Sequence, residues 1–178
     1  EQRDFRRYLQ SPYFNRRTEA ILLYDLLEKH LKNNSPVPEK EAAYSTIFSD
    51  DPFDDHRLRM LMSQLLQLAG QFLAVQDFLA DEAQPLMRLG QALRKRKLVT
   101  HFSQTSADLA QKLDNQPYRN ADFYQNKYLA SLEKYRTAYD MREVESQQLQ
   151  ALSDELDTAF LTRKLWQACI LLSHEAVS

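Results

Sequence analysis

Apolar residues recur at intervals of three and four positions along almost the whole chain. This spacing is typical of amphipathic α-helices, because a helix turns by about 100° per residue and residues three or four apart share a face. The clearest stripe covers roughly 160° of a helix surface. Its members are Leu58, Leu61, Met62, Leu65, Leu66, Leu68, Ala69, Phe72 and Leu73. An arc this wide predicts a long helix that packs against several others, and no segment shows the clean alternation of a β-strand.

The breaks in this pattern predict about eight helices with short connections. Turns that contain proline end several of them, since the residue before a proline avoids the α conformation. The predicted spans are 3–9, 16–33, 38–48, a long helix from Asp54 or Asp55, a helical segment from Pro85 with a break at 94–97, then 120–140 and 146–174. The break is predicted because the apolar stripe before it is out of phase with the stripe after it.

The chain contains only two glycines, Gly70 and Gly90, in 178 residues. Tight hairpins and phosphate-binding loops need glycine, because glycine reaches positive φ at little cost. The composition therefore predicts an all-α fold, either an irregular multi-helix bundle or a short α-α superhelical array. We expect one helical domain over residues 1–178, with a sub-boundary near residues 80–85 as the alternative. Because the chain begins at Glu1 rather than methionine, a fragment of a longer helical protein is also expected.

Charge and cysteine content narrow the range of partners. The formal net charge is −2, which gives no overall attraction to nucleic acid or to an anionic membrane. No apolar run reaches the length of about 18 residues that predicts a membrane span. Cys169 is the only cysteine, which favours a reducing, cytoplasmic location, and its apolar neighbours predict a small buried side chain.

No spacing typical of a metal site, nucleophile motif or phosphate-binding loop occurs in the sequence, so we predict no cofactor and no catalytic residue. The acidic segment Asp50, Asp51, Asp54 and Asp55 precedes His56 and could in principle offer ligands to a metal. It lacks the alternating ligands and the glycine of a calcium loop. Acids at a helix start are stabilised by the helix dipole, so helix capping is the favoured interpretation.

Four tyrosines share one face of the predicted helix 120–140, within about 60°. This tyrosine stripe consists of Tyr124, Tyr128, Tyr135 and Tyr139. Tyrosine is enriched in binding surfaces, so the stripe is a candidate interaction surface. The favoured alternative is a packed seam between helices, in which Tyr128 and Tyr135 are largely buried.

The last predicted helix has more apolar surface than docking needs. A first stripe is sufficient to attach it to the rest of the chain; it consists of Leu152, Leu156, Ala159, Phe160, Trp166 and Ile170. A second stripe, here called the leucine stripe, consists of Leu161, Leu165, Ala168 and Leu172. A terminal helix should be polar on its outer side, so we expect something to cover the leucine stripe and treat Leu161, Leu165 and Leu172 as candidate interaction residues. The alternatives are a further helix of a longer native chain, which is favoured, a second copy of the chain, or an earlier segment that folds back.

One dense run of cations occurs, formed by Arg94, Lys95, Arg96 and Lys97. This basic run could contact phosphates. Cations at the end of a helix also complement the helix dipole, and that structural role is the favoured interpretation.

Two segments resemble an uncharacterised, all-helical protein family of Bacteroidetes-type bacteria. They are Ser11-Pro12-Tyr13-Phe14-Asn15 and the stretch from Asp55 to Leu65, DHRLRMLMSQL, with a looser likeness through Phe72-Leu73 and residues 96–98. The resemblance implies a bacterial origin. It implies no activity and carries no catalytic residue over to this chain.

These observations favour a non-enzymatic protein–protein interaction or scaffold module that binds a protein partner or a second copy of itself. Two alternatives stay open. The first is a nucleic-acid-associated protein that uses the basic run, although nucleic acid is the less favoured partner. The second is an enzyme without a recognisable motif, because residues that assemble in space leave no signal in one sequence.

Overall fold

A computed structural model of the chain describes residues 1–36, 38–49, 51–143 and 146–177. These residues form eight helices and no strand: α1 (Gln2–Gln10), α2 (Thr18–Lys32), α3 (Lys40–Ile47), α4 (Asp55–Ala80), α5 (Ala83–Lys95), α6 (Val99–Asp114), α7 (Ala121–Met141) and α8 (Ser146–Val177). The all-α prediction is confirmed. The predicted spans match the helices to within a few residues.

Three helix starts are capped by a side chain that the local sequence supplies. Asp54 Oδ1 accepts hydrogen bonds from the backbone N–H groups of His56 and Arg57, at 2.9 and 3.1 Å, so the capping interpretation of this acid is confirmed. Asp81 Oδ1 accepts in the same way from the N–H groups of Ala83 and Gln84, at 2.7 and 3.1 Å. Helix α5 begins at Ala83, so Pro85 lies in its first turn rather than at its first residue. Asn120 accepts from the N–H of Phe123 at 2.9 Å and caps α7.

The second helix begins two residues later than predicted because Asn15 fixes the chain before it. The buried Asn15 amide donates to the carbonyls of Leu9 and Arg17, both at 2.9 Å, and its oxygen accepts from the N–H of Arg17 at 3.0 Å. Arg17 consequently has an extended backbone, with φ −106° and ψ 116°, and the helix starts at Thr18. Similarly, Glu39 has a non-helical backbone, with φ −57° and ψ 150°, and α3 begins at Lys40.

The chain divides into two compact units, Glu1–Asp77 and Phe78–Ser178, and α4 crosses the division. The first unit has a core of leucines and aromatic rings to which α1, α2, α3 and α4 all contribute. Its buried members are Tyr8, Leu9, Ala20, Leu23, Tyr44, Ile47, Leu58, Leu61, Leu65, Leu68 and Phe72. The rings of Phe5 and Tyr8 pack on Phe72, with centroids 5.2 and 5.5 Å from it.

The second unit is built on α5, α6 and α7, which pack against one another in all three pairings. Its core contains Ala83, Met87, Leu109, Leu113 and Phe123. The break predicted at 94–97 is the turn between α5 and α6, where Lys97 adopts a positive φ of 58°. In the described part of this unit α8 packs against α7 alone.

Candidate interaction surface

The pairing of α7 with α8 determines how much of α8 is covered. The two helices are antiparallel, since the Arg163 guanidinium contacts Asp122, in the first turn of α7, at 2.7 Å. A second ion pair, between Lys127 and Glu155, joins them at 3.7 Å. With a rise of about 1.5 Å per residue, the 32 residues of α8 extend over about 48 Å and the 21 residues of α7 over about 32 Å. The part of α8 after Arg163 therefore extends beyond the start of α7.

The first half of α8 is attached to α7 through two buried residues, Leu152 and Ala159. The predicted docking stripe is longer than this contact. Its other members, Leu156, Phe160, Trp166 and Ile170, are exposed. The last two lie beyond the start of α7, which explains why the pattern overestimated the docked length.

Every residue from Lys164 to Ala176 is exposed, including the whole second half of the leucine stripe. The side chains of Leu161, Leu165 and Leu172 are 57%, 67% and 66% exposed. Cys169 is exposed as well, so its interpretation as a buried core residue is wrong. It lies on the projecting part of α8, where no other helix of this unit packs.

Apolar and small residues occupy about 200° of the circumference of α8 between Leu161 and Ala176. The charged residues and the histidine of this segment lie on the remaining side; they are Arg163, Lys164, His174 and Glu175. A helix on a protein surface needs an apolar stripe of about 100°, whereas a helix that is apolar over most of its circumference is typically buried. The composition of this segment thus fits a helix with partners on more than one side.

Most rings of the tyrosine stripe are at least partly buried by the packing of the second unit. Tyr124 packs on the core of this unit and meets the ring of Phe123 at 5.2 Å, and Tyr128 and Tyr135 are also partly buried. Tyr139 is 66% exposed and stacks on Tyr135, with ring centroids 6.4 Å apart. The first three rings therefore contribute to packing, and Tyr139 is the one that offers most surface to a partner.

Replacing Tyr128 by alanine is expected to lower the free energy of unfolding by about 1.5 kcal/mol, less than the 3–5 kcal/mol typical of a fully buried ring, because part of this ring already contacts water. Tyr139→Ala is the matched control on the same helix and is expected to change stability by less than about 0.5 kcal/mol. Thermal and urea unfolding measure both variants. Equal losses in the two variants would contradict this distinction between the rings.

The four cations of the basic run do not form one exposed set. Arg94 donates from Nε to Glu133 at 2.9 Å and from Nη1 to Asp140 at 3.2 Å, and its side chain is only 20% exposed. The hydrogen bond to Glu133 raises the pKa of Arg94 above its ordinary value. Arg96 donates to the carbonyl of Ala92 at 3.0 Å. Lys95 and Lys97 are exposed, but Asp140 lies at the same groove.

Glu133 is a residue that the sequence pattern did not single out. Its carboxylate is 11% exposed and accepts from both Arg94 and Arg136, the latter at 2.8 Å. A buried carboxylate with two guanidinium partners is a structural ion-pair network. The spacing of Glu133 and Arg136 on one helix was visible in the sequence, whereas the partner on α5 was not.

The acidic segment before α4 is occupied by cap and ion-pair contacts. Asp55 pairs with Lys40 at 2.8 Å and with Arg59 at 3.0 Å, and Asp51 pairs with Arg57. Asp50 lies outside the described residues. Among the residues that are described, no group of three or more histidine, cysteine, aspartate or glutamate side chains could hold a metal ion.

Within the described ranges, no helix combines the length and the apolar content needed to cross a membrane. The surface feature that stands out on the second unit is thus the projecting, apolar part of α8. No protein-family model, curated protein or solved structure matches the chain.

Proposed function

We propose that this chain is a non-enzymatic protein–protein interaction or scaffold module, and that the part of α8 beyond α7 is the element that binds its partner. The observation that carries the proposal is the continuous exposure of residues 164–176 on a helix with an apolar arc of about 200°. The setting that we propose is a bacterial cytoplasm, on the basis of the family resemblance and the single cysteine.

Exposure of this apolar surface to water has a cost in free energy. Full burial of a leucine side chain stabilises a protein by about 1.5–3 kcal/mol. Each leucine of the stripe is more than half exposed and therefore lacks about 1 kcal/mol of this stabilisation. Trp166, with an exposed ring, is of the residue type most enriched among the residues that dominate binding energy. A partner that covers the segment recovers this free energy.

Binding to nucleic acid is supported less well. A phosphate site needs cations that are free to pair with phosphates, because this pairing releases the counterions that surround the nucleic acid. Arg94, the first residue of the basic run, instead pairs with two carboxylates, and one of them, Asp140, lines the same groove as Lys95 and Lys97. These contacts favour the structural role of the basic run at the turn between α5 and α6.

Site-specific photo-crosslinking tests the proposed function. A benzoylphenylalanine at position 165 is expected to crosslink a protein in a nuclease-treated bacterial lysate, and one at the exposed position 157 of the same helix is not. The captured protein is identified by mass spectrometry and purified, and its affinity is measured. The double variant Leu165→Glu/Leu172→Glu should weaken its binding at least 30-fold.

The control for this measurement is Asp157→Asn, an exposed change outside the apolar arc, which should leave the affinity within about twofold. If position 165 crosslinks no protein, neither another one nor a second copy, or if the double variant binds the captured partner as well as the natural sequence does, the proposed function is wrong.

A further inference from the structure

The turn between α5 and α6 and the end of α7 line a groove of about 460 Å³ on the second unit. Sites for small molecules in proteins have volumes of roughly 300–1,000 Å³, so the groove has the size of a ligand site. All of its lining residues lie between Arg94 and Met141. The groove is therefore separate from α8, the element for which we propose a protein partner.

The floor of the groove is largely aliphatic and open to water. Leu98 and Val99, at the start of α6, are 43% and 38% exposed, and Met141, at the end of α7, is 43% exposed. Phe102 also lines the groove and is almost completely buried. Burial of apolar surface is favourable in proportion to its area, so an alkyl chain is the kind of group that this floor can bind.

The rim of the groove carries an excess of positive charge. Three cations and one carboxylate line it, and the pair between Arg94 and Asp140 leaves two lysines, Lys95 and Lys97, as the excess. Both lysines are exposed, and neither forms an ion pair with another residue that the structure describes. Helix α6 adds to the positive potential, because its first turn lines the groove and no described side chain caps it. An anionic group is therefore complementary to the rim.

We propose that this groove binds a free fatty acid of medium chain length, with its carboxylate between Lys95 and Lys97 and its alkyl chain along Leu98, Val99 and Met141. The inference goes beyond the proposed function and uses no residue of α8. A fatty acid supplies one negative charge for the rim and one aliphatic chain for the floor. A nucleic acid fits less well, because its row of phosphates needs more than two free cations and leaves the aliphatic floor in water.

Contacts around the groove hold its walls in place before a ligand binds. In the turn, the N–H of Lys97 donates to the carbonyl of Arg94 at 2.8 Å. The N–H of Leu98 donates to the carbonyl of Leu93 at 3.1 Å. The side chain of Arg94 then joins α5 to α7 through Glu133, at 2.9 Å. A site whose walls are already fixed loses less conformational freedom on binding, which favours affinity for a small ligand.

The open side of the groove limits the affinity that we expect. An alkyl chain on the floor has about half of its surface covered, so two further methylenes should tighten binding about fourfold. We expect a Kd on the order of 100 µM for decanoate, and a Kd about fourfold higher for octanoate. The interaction should therefore be reversible.

Titration of the full, methyl-labelled chain with decanoate, followed by nuclear magnetic resonance, tests the inference. The methyl signals of Leu98, Val99 and Met141 should shift and saturate. Decyltrimethylammonium has the same alkyl chain and the opposite charge, so its Kd at these residues should be at least about tenfold higher.

Two variants of the basic run separate the rim from general positive charge. Lys95→Gln/Lys97→Gln should raise the Kd for decanoate at least about fivefold, because it removes the excess charge of the rim. Arg96→Gln is the matched control. Arg96 belongs to the same run but donates to the carbonyl of Ala92 and does not line the groove, so its loss should change the Kd less than about twofold.

Val99→Asp tests the floor with little risk to the fold, because an acid in the first turn of a helix is favourable. The new carboxylate lies where the alkyl chain would bind, so the Kd for decanoate should rise at least about tenfold. Circular dichroism checks that each variant keeps its helix content.

Three results would overturn the inference: no shift of the groove methyl signals up to about 2 mM decanoate, equal binding of the cationic probe there, or an unchanged Kd in the lysine variant. The exposed part of α8 is also apolar, so Leu165→Glu/Leu172→Glu provides a further check. If this variant lost decanoate binding, the ligand would lie on α8 and the groove would be the wrong site. The photo-crosslinking result at position 165, which tests the proposed function, is independent of all these outcomes.

Discussion

Leu58→Ala is expected to lower the free energy of unfolding of the first unit by about 3 kcal/mol. Leu58 is almost completely buried in the core that α4 shares with the three preceding helices. Removal of three methyl and methine carbons loses their transfer free energy, and the surrounding side chains collapse only partly into the space that remains. Alanine has the higher helix propensity, which offsets the loss by no more than a few tenths of a kcal/mol.

Leu66→Ala provides the control for this prediction, because it makes the same chemical change on the same helix at a side chain that is 75% exposed. We expect it to change stability by less than about 0.5 kcal/mol. Urea unfolding followed by circular dichroism measures both variants. If Leu66→Ala were as destabilising as Leu58→Ala, the side chain of Leu66 would have to be buried in solution, which would contradict its exposure in the structure.

Glu133→Ala is expected to destabilise the second unit by about 2–3 kcal/mol. The substitution leaves the guanidinium of Arg94, which is 20% exposed, with Asp140 as its remaining partner at 3.2 Å. Loss of one member of a buried ion pair costs about 3–5 kcal/mol, because the other charge stays uncompensated; the partial exposure of Arg94 and the contact with Asp140 reduce this cost.

Two further variants separate the cost of an unpaired charge from the loss of packing. Lys112→Ala breaks the exposed pair of Lys112 with Glu82 and should cost no more than about 0.5 kcal/mol. The double variant Arg94→Met/Glu133→Leu removes both charges and keeps apolar volume, so it should be more stable than Glu133→Ala. A double variant no more stable than Glu133→Ala would show that the loss comes from packing.

The positions of the helices could be predicted from the sequence because the interactions that start and end them are local. Asp54, Asp81 and Asn120 each bind backbone groups two or three residues further along the chain. The break at 94–97 was predicted from two stripes that are out of phase, and Lys97 adopts a positive φ there. The late start of α2 was not predictable in this way, since Asn15 reaches back to the carbonyl of Leu9.

The roles of the candidate site residues depend on contacts that are distant in sequence. In the sequence, Arg94 is one of four consecutive cations that all appear equally available. Its partners Glu133 and Asp140 lie 39 and 46 residues away along the chain. Tyr124 and Tyr139 share a stripe, and only the packing of α7 on the core distinguishes the partly buried ring from the exposed one.

The sequence by itself determined that α8 has two apolar faces, because the period of an α-helix assigns each side chain to a face whatever surrounds it. Which of these faces is covered was decided by the tertiary structure. The relative lengths of α7 and α8 place Leu152 and Ala159 against a neighbour and leave Leu165, Trp166 and Leu172 beyond its end. Burial requires atoms from another part of the chain, and no periodicity within a helix specifies where that other part stops.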